Sequence, residues 1–363
     1  IDGETHNSLG LTWDVVAEAA TQEVAGSYSS LKPRRPIFTL GNYVGDKWGG
    51  KYLRAPDIFF TILEKGKNKL VRLDSIADVR RGFTTGANEF FYLEPLGPGS
   101  RPGLQRVRNG AGWEGEIEEE FLRLAVKSPR ECFDVVIKPE ALRYCIFICR
   151  HSKYQLKGTR ALDYIHWGEK KGYSTRSTLR SRRQWWNLGM SHTEFVAWAM
   201  IHSERHNVYI NPNGIELDHN FFGISFLEDY DYIGALIMIS TFSVLVRELY
   251  GRSYGGGSGP IKTEGVDLAK MITINPRCVA KMPCKELKKS VFNAPSTSVF
   301  VECGINPESG IPIFEQDPYP VPYRAALDNF VFDVLELSEE ERKDLYRATC
   351  QLVWQRISKA RSV

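Results

Sequence analysis

The sequence predicts an α+β protein, with strands gathered in its middle and helices at its flanks. Two observations carry this. Over residues 70–226 apolar residues come in short runs separated by Gly, Pro and Asn turn signals, which is the pattern of strands. Beyond residue 231, and again over 326–363, apolar residues recur at helical spacing.

In chain order, Trp13, Val16, Ala17, Ala20 and Val24 share one helical face, so a helix is expected over 13–24. Residues 26–50, rich in Ser and then in Pro and Gly, read as a linker. Pro56 fits the first turn of a second helix, lined by Phe59, Ile62 and Leu63 and stopped by Gly66. Short strands are expected at 71–73, 76–83 and 89–93, with a glycine-bearing turn over 84–88. Residues 95–112 read as an exposed Pro/Gly-rich loop, and 119–124 as a short helix. Further strands are expected at 135–138, 144–149, 195–201, 207–210, 214–218 and 221–226, with a hairpin-like turn at Asn211-Pro212-Asn213-Gly214. The apolar run 232–246 is shorter than the ~20 residues that span a bilayer. It contains Gly234, Ser240, Thr241 and Ser243 and reads as one buried core helix that stops at Gly251. A glycine-rich loop over 255–260 precedes a helical turn at 266–269 and a strand at 271–274. Residues 304–323 form a Pro-rich connection. Leu327, Phe330, Val331, Val334 and Leu335 then line an amphipathic helix, and Ser338 with Glu341 forms a capping box that opens the last one. No internal repeat is present.

A chain of 363 residues suits two units, or one large unit with extensions. Its net charge of only +3 means that any role with nucleic acid must come from local clustering. Clusters exist at Arg80-Arg81, at Arg101, Arg106 and Arg108, and most densely over 170–189, while acid gathers at 114–120 and 336–344. The seven cysteines are odd in number and include no Cys-x-x-Cys pair, so reduced thiols, a cytoplasmic location and no membrane partner are expected. The chain opens at Ile1 without a methionine and reads as a piece of a longer protein.

Residues 170–189 hold four arginines and two lysines, no acid, interleaved Ser and Thr, and the pair Trp185-Trp186. Guanidinium forks match phosphate oxygens and guanine edges, and hydroxyls add phosphate contacts. Lys170, Lys171, Arg176, Arg180, Arg182 and Arg183 are therefore candidate DNA contacts. Arg252 and Lys262, on either side of the glycine-rich loop, join them. The plain alternative for such a run is a solvated basic face with Arg stacked on Trp. The glycine-rich loop is not a phosphate loop, because Ile261 stands where that motif needs Gly ahead of Lys262-Thr263. His202 with His206, and Cys145 with Cys149, have a spacing that binds zinc on a helix. Both regions read as strands, where the spacing separates the side chains, so no metal site is expected. No Pro-Pro dipeptide, no Gly-x-Gly-x-x-Gly after a strand and no Gly-x-Ser-x-Gly occurs, and no catalytic or cofactor-binding residues are assigned.

Several blocks carry a resemblance: residues 47–56 ending Leu53-Arg54-Ala55-Pro56, residues 76–82 with Thr85-Gly86-Ala87-Asn88-Glu89-Phe90, Tyr164-Ile165-His166-Trp167-Gly168-Glu169, and the stretches 183–188, 247–262 and 326–363. In this order they resemble the C-terminal specificity region of TaqI-like adenine-N6 DNA methyltransferases, including restriction–modification and phage-defence versions. The resemblance implies an α+β, mainly antiparallel β target-recognition domain with flanking helices, related to the recognition domains of type I specificity subunits. It divides the chain into a junction over 1–45 that follows a catalytic domain, a DNA target-recognition domain over 46–303, and a connection with C-terminal helices over 304–363. It further implies that double-stranded DNA is the partner, and that a covalently linked N-terminal methyltransferase domain binds S-adenosylmethionine, flips the adenine and methylates it. The acidic-x-Phe-x-Gly-x-Gly and Asn-Pro-Pro-aromatic loops of such a domain are absent from this sequence, so no cofactor is assigned to this chain.

Two other readings stay open. One is a standalone specificity subunit that docks separate methylation and cleavage subunits. The other is an interaction module in which the 176–183 arginines pair with the acids of 114–120. Within the basic stretch, Lys170 and Lys171 beside Gly172 read as a mobile loop for phosphate. In an extended chain Arg180 and Arg182 would face the groove together, with Arg183 turned to Trp185 or to a phosphate.

Overall fold

A computed structural model describes residues 53–189, 191–254, 259–279 and 283–361. The expected helix over 13–24, the linker over 26–50, the 1–45 junction and residues 255–258 of the glycine-rich loop lie outside these. The described chain combines helices with several antiparallel sheets, so it is α+β. It divides into two units: one of residues 1–79, 200–209 and 224–363, and one of residues 80–199 and 210–223. The chain passes between the units in or beside strands Ala77–Arg81, Val196–Ala199, Val208–Ile210 and Phe221–Phe226.

The second, β-rich unit is built on six strands: β1 (Tyr92–Pro98), β2 (Leu104–Asn109), β3 (Glu114–Glu118), β4 (Leu122–Val126), β5 (Tyr144–Phe147) and β6 (Glu216–Leu217). Their order is β6-β4-β5-β1-β2-β3, antiparallel except for β6 beside β4. Four expectations change here. Residues 88–91 form one helical turn instead of starting a strand, because Phe90 and Phe91 are both fully buried and a strand would turn one of them outward. The Pro/Gly-rich stretch 95–112 is a β-hairpin, not an exposed loop. The pairing of β1 with β5 covers only Tyr92 and Leu93, so Pro95 and Pro98 lie beyond it, where no second strand needs their missing N–H. The register shifts between Pro95 and Gly97, a bulge that Gly97 permits with φ 125°. Residues 119–121 form a 3-10 turn, and β4 begins where a helix was expected to continue. Residues 135–138 give no strand, only a bridge from Val136 to Ile210.

A helix that the periodicity reading passed over, Arg160–Lys170, covers the sheet's aromatic residues. Thr159 caps it by accepting from Leu162 N at 3.1 Å. Glu118 of β3 accepts from the backbone N–H groups of Arg160 (2.7 Å) and Ala161 (2.9 Å), so a carboxylate satisfies helix-end donors where the dipole favours negative charge.

The other unit is mainly helical. It contains the ladders Leu70–Arg72 with Ile272–Ile274, and Arg252–Ser253, Ile261–Lys262 and Ile201–His202. Helix Asp57–Lys65 follows Pro56 and ends at Gly66, as expected. The apolar run beyond residue 231 is two helices, Asp231–Ile239 and Thr241–Tyr250, bent by 69°. Ser240 takes an extended conformation and its hydroxyl caps the second helix. Buried Asp328 completes that end, accepting from Thr241 N at 2.8 Å and Thr241 Oγ1 at 2.6 Å. No single helix among the described residues is long and apolar enough to cross a membrane. Arg324, also buried, pairs with Glu302 and donates to the Ile239 carbonyl at 2.5 Å. Helices Pro322–Val334 and Glu339–Arg361 close the chain, the latter with the expected Ser338–Glu341 box.

The His202–His206 pair surrounds a buried guanidinium. Arg247 Nη1 lies 2.9 Å from His206 Nδ1 and 3.4 Å from His202 Nδ1. A guanidinium only donates, so both Nδ1 atoms accept, and His206 Nε2 carries the proton it gives to the Met238 carbonyl at 2.8 Å. Burial, and then the charge of Arg247, hold His206 far below its ordinary pKa. Burial pushes Glu248 up, but Arg247 and Arg356 outweigh it and keep it ionised. No group of three His, Cys, Asp or Glu side chains among the described residues could hold a metal ion.

Two outcomes follow. Asp328 also lies 3.8 Å from Arg324, so Asp328→Ala is expected to cost about 3–5 kcal/mol in urea unfolding, since it removes one of two carboxylates beside a buried cation and the acceptor at a helix end, while Asp328→Asn costs less. His206 has a folded pKa below its unfolded value, so the unfolded chain takes the proton first as pH falls. Its contribution is complete above about pH 6.5 and is lost below it. The urea midpoint should therefore fall from about pH 7 to about pH 5, and His206→Gln, which keeps one acceptor and one donor, should flatten that slope.

Candidate nucleic-acid interface

Six of the eight expected contact residues lie in the β-rich unit, and Arg252 and Lys262 in the helical one. The latter two face each other across the Arg252–Ser253 and Ile261–Lys262 ribbon. Opposed like charges repel. Here Arg252 is paired with Asp267 at 2.6 Å and Lys262 with Glu264, and these two acids form the capping box of helix Gly265–Ala269. Both cations are thus compensated within the chain.

The basic stretch is held on a floor of rings. Phe90 stacks on Tyr164 with centroids 4.4 Å apart and meets Trp185 at 4.8 Å and Tyr173 at 5.3 Å. Tyr164 donates to the Phe90 carbonyl and accepts from Asn109 Nδ2 at 3.0 Å, and burial pushes its hydroxyl pKa up. Tyr173, Leu179, Trp185 and Trp186 are all buried in this cluster. Trp185 Nε1 donates to Glu169 at 3.2 Å and Trp186 Nε1 to the His151 carbonyl at 3.3 Å. Gly168 lets the helix reach the rings: a Cβ there would stand 2.6 Å from both Phe90 and Trp185.

Between these anchors the chain is turned, not extended. Arg180 N and Leu179 N both donate to the Arg176 carbonyl, and Arg182 N donates to the Leu179 carbonyl. The expected alternation of side chains therefore does not apply. Arg180 and Arg183 are exposed, whereas Arg182 is half-buried. Its Nη2 donates to the Thr84 carbonyl at 2.9 Å and its Nη1 is buried with no partner among the described residues. Burial lowers its pKa. Beside it Thr178 Oγ1 donates to the Gly86 carbonyl at 2.9 Å, so the segment is sewn to the 84–88 turn. Lys170 is the last residue of helix Arg160–Lys170 and Lys171 is its cap, followed by left-handed Gly172, so both sit on a helix end and not on a loop.

The charges sort into two sets. Arg176 is paired with Glu89 at 2.5 Å and lies over the Tyr173 ring. Lys170, Lys171, Arg180 and Arg183 are exposed and have no ion pair among the described residues. Three acids of 114–120 are occupied elsewhere: Glu114 with Arg106, Glu116 with Ser100, and Glu118 at the helix end. Among the described residues no ion pair joins the 176–183 arginines to that segment. Uncompensated like charges on a rigid surface can be relieved by an anionic ligand.

The sequence reading missed the neighbouring loop 150–157, although Arg150, His151, Lys153, Tyr154 and Lys157 interleave basic and aromatic residues there. Arg150 Nε donates to the Gly189 carbonyl at 3.2 Å, and Lys153 pairs with Glu169 at 2.7 Å.

Residues 139–290, less than half of the chain, match the family model for the C-terminal domain of the Type II methyltransferase M.Eco57I, and this segment contains all eight expected contact residues. The fold is similar to that of the type IIG restriction endonuclease BpuSI, with TM-score 0.52 and 13% identity over 82% of this chain and 33% of that one. The chain thus spans about a third of the length of that enzyme. No curated protein matches the sequence.

Gly168→Ala should raise helix propensity by about 0.5–1 kcal/mol yet destabilise the protein by about 1–3 kcal/mol overall, because the rings must shift. Thermal unfolding with Trp fluorescence reads both the loss and the disturbed Trp185.

Proposed function

We propose that this chain is the DNA target-recognition portion of a site-specific, TaqI-like adenine-N6 DNA methyltransferase of a restriction–modification or phage-defence system. Its β-rich unit would be related to the recognition domains of type I specificity subunits. It positions double-stranded DNA for a covalently linked N-terminal methyltransferase domain. That domain binds S-adenosylmethionine, and its motifs do not occur in this sequence. Methylating a base requires taking it out of the stack, so a separate surface must hold the duplex and read its neighbours. The observation that carries the reading is the set of exposed cations without acid partners among the described residues, Lys170, Lys171, Arg180 and Arg183, fixed on a buried aromatic floor. The family match over 139–290 and the BpuSI-like fold support it.

Lysine suits phosphate, while the arginine fork also suits guanine. Lys170 and Lys171 therefore anchor the backbone, and Arg180 and Arg183 are the exposed forks available for bases. Arg182 positions the turn through Thr84.

Binding of duplex DNA by the chain should weaken with salt, with a slope of log K against log salt of about −3 to −5 if three to five phosphates are neutralised. Lys170→Ala and Lys171→Ala should weaken all duplexes alike and flatten that slope by about one per lost contact. Arg180→Ala or Arg183→Ala should cost a cognate duplex roughly tenfold and a scrambled duplex much less. A salt-independent isotherm in fluorescence anisotropy would end the DNA reading.

A further inference from the structure

Tyr154 is 77% exposed, yet the loop that carries it is firmly built. Ser152 N and Oγ both donate to Gln155 Oε1, at 2.9 and 2.8 Å, and Gln155 N returns a bond to Ser152 Oγ. Leu156 is buried in the aromatic core and its N–H donates to the Ser152 carbonyl. Gly158, at φ 81°, turns the chain into the helix that Thr159 caps. The His151 ring stands edge-on to Phe121 at 5.6 Å. This turn holds an aromatic ring out in water, where it buries little apolar surface for the fold.

The surroundings of that ring are basic. Lys157 holds its ammonium 4.6 Å over one face of the ring, and the residue's exposure leaves the other face open. Arg150 and Lys157 are exposed and have no ion pair among the described residues. The loop is bound to the basic stretch by Arg150 to the Gly189 carbonyl, by Trp186 to the His151 carbonyl, and by Lys153 to Glu169, which also receives Trp185 Nε1. Loop 150–157 and stretch 170–189 are therefore one continuous surface. A rigid ring with one free face, set among cations, is the arrangement that stacks on a nucleobase while its neighbours hold phosphates. Bases in an intact duplex offer their faces only where a step is opened, and proteins that open steps fill the gap with such side chains.

We propose that Tyr154 stacks on an unpaired base of the bound duplex, with Arg150 and Lys157 on the adjoining phosphates, so that loop 150–157 is a second arm of the interface. This rests on the DNA reading above. It adds a residue that recognises a distorted site, distinct from the arginines assigned to paired DNA.

The test uses the whole chain and two duplexes of one sequence. One is fully paired, and the other carries 2-aminopurine opposite an abasic site. Wild type should bind the distorted duplex more tightly and quench the 2-aminopurine. Tyr154→Ala should lose roughly tenfold on the distorted duplex, with its quenching, and less than about twofold on the paired one. Tyr154→Phe should keep both, and urea unfolding should show both variants as stable as wild type. Wild-type binding to paired DNA together with an unaffected or uniformly weakened Tyr154→Ala overturns the stacking role alone. A wild-type chain that binds neither duplex overturns this proposal and the DNA reading together.

Discussion

Phe90 lies at the meeting point of pieces of chain that share no hydrogen-bonded ladder: the one-turn helix that carries it, helix Arg160–Lys170 through Tyr164, and the irregular stretch through Tyr173 and Trp185. Ring packing is what makes the basic segment a surface and not a tail. A segment of arginines without strand or long helix would otherwise sample many conformations, and ordering it on a ligand would cost roughly 0.5–1.5 kcal/mol for each immobilised side chain. Here Tyr173, Leu179, Trp185 and Trp186 have already met part of that cost in folding. The closeness of Gly168 to two of the rings shows how little slack the arrangement has.

Given that platform, pairing decides which cations matter. The protein has two ways of treating a positive charge. Arg247 and Arg324 are fully buried and answered by Glu248 and by Glu302 with Asp328; they hold helices together. Arg106, Arg108, Arg252 and Lys262 are at or near the surface and also answered, the first two by acids on neighbouring strands and the last two by the capping-box acids of helix Gly265–Ala269. Lys170, Lys171, Arg180 and Arg183 belong to neither group. Surface ion pairs contribute little to stability, so leaving these four unanswered costs the fold little and leaves them available to a ligand.

Much of this was legible in the sequence, and the gaps have physical causes. The α+β class, the strands around 196–226, helix Asp57–Lys65 and the two C-terminal helices follow from apolar spacing and caps, which are local signals. The hairpin over 92–109 was hidden because Pro95 and Pro98 read as loop; only the pairing of β1 shows that their missing N–H groups are not needed. The break at Ser240 is written in a serine–threonine pair, but its force comes from Asp328, 87 residues from Thr241. The basic stretch was plain as composition. Which of its charges are free was not, because Glu89, which neutralises Arg176, is distant in sequence.

The turned backbone over 176–182 also changes which arginines act together. An extended strand would bring residues two apart to one face, which groups Arg180 with Arg182. In a turn closed from Arg176 to Arg180 and from Leu179 to Arg182, that grouping fails, and the two residues differ by environment. Arg182 spends its fork on the Thr84 carbonyl and lies 5.9 Å from the Phe91 ring centroid, half withdrawn from water. A fork with one nitrogen committed to the backbone and another shut in by burial cannot present two parallel donors to a base edge, which needs both. Among the described residues nothing takes up the side-chain donors of Arg180 or Arg183. The residue that looks, in sequence, like the centre of the cationic run is therefore the one that fixes the turn, and its neighbours on either side are left to reach outward.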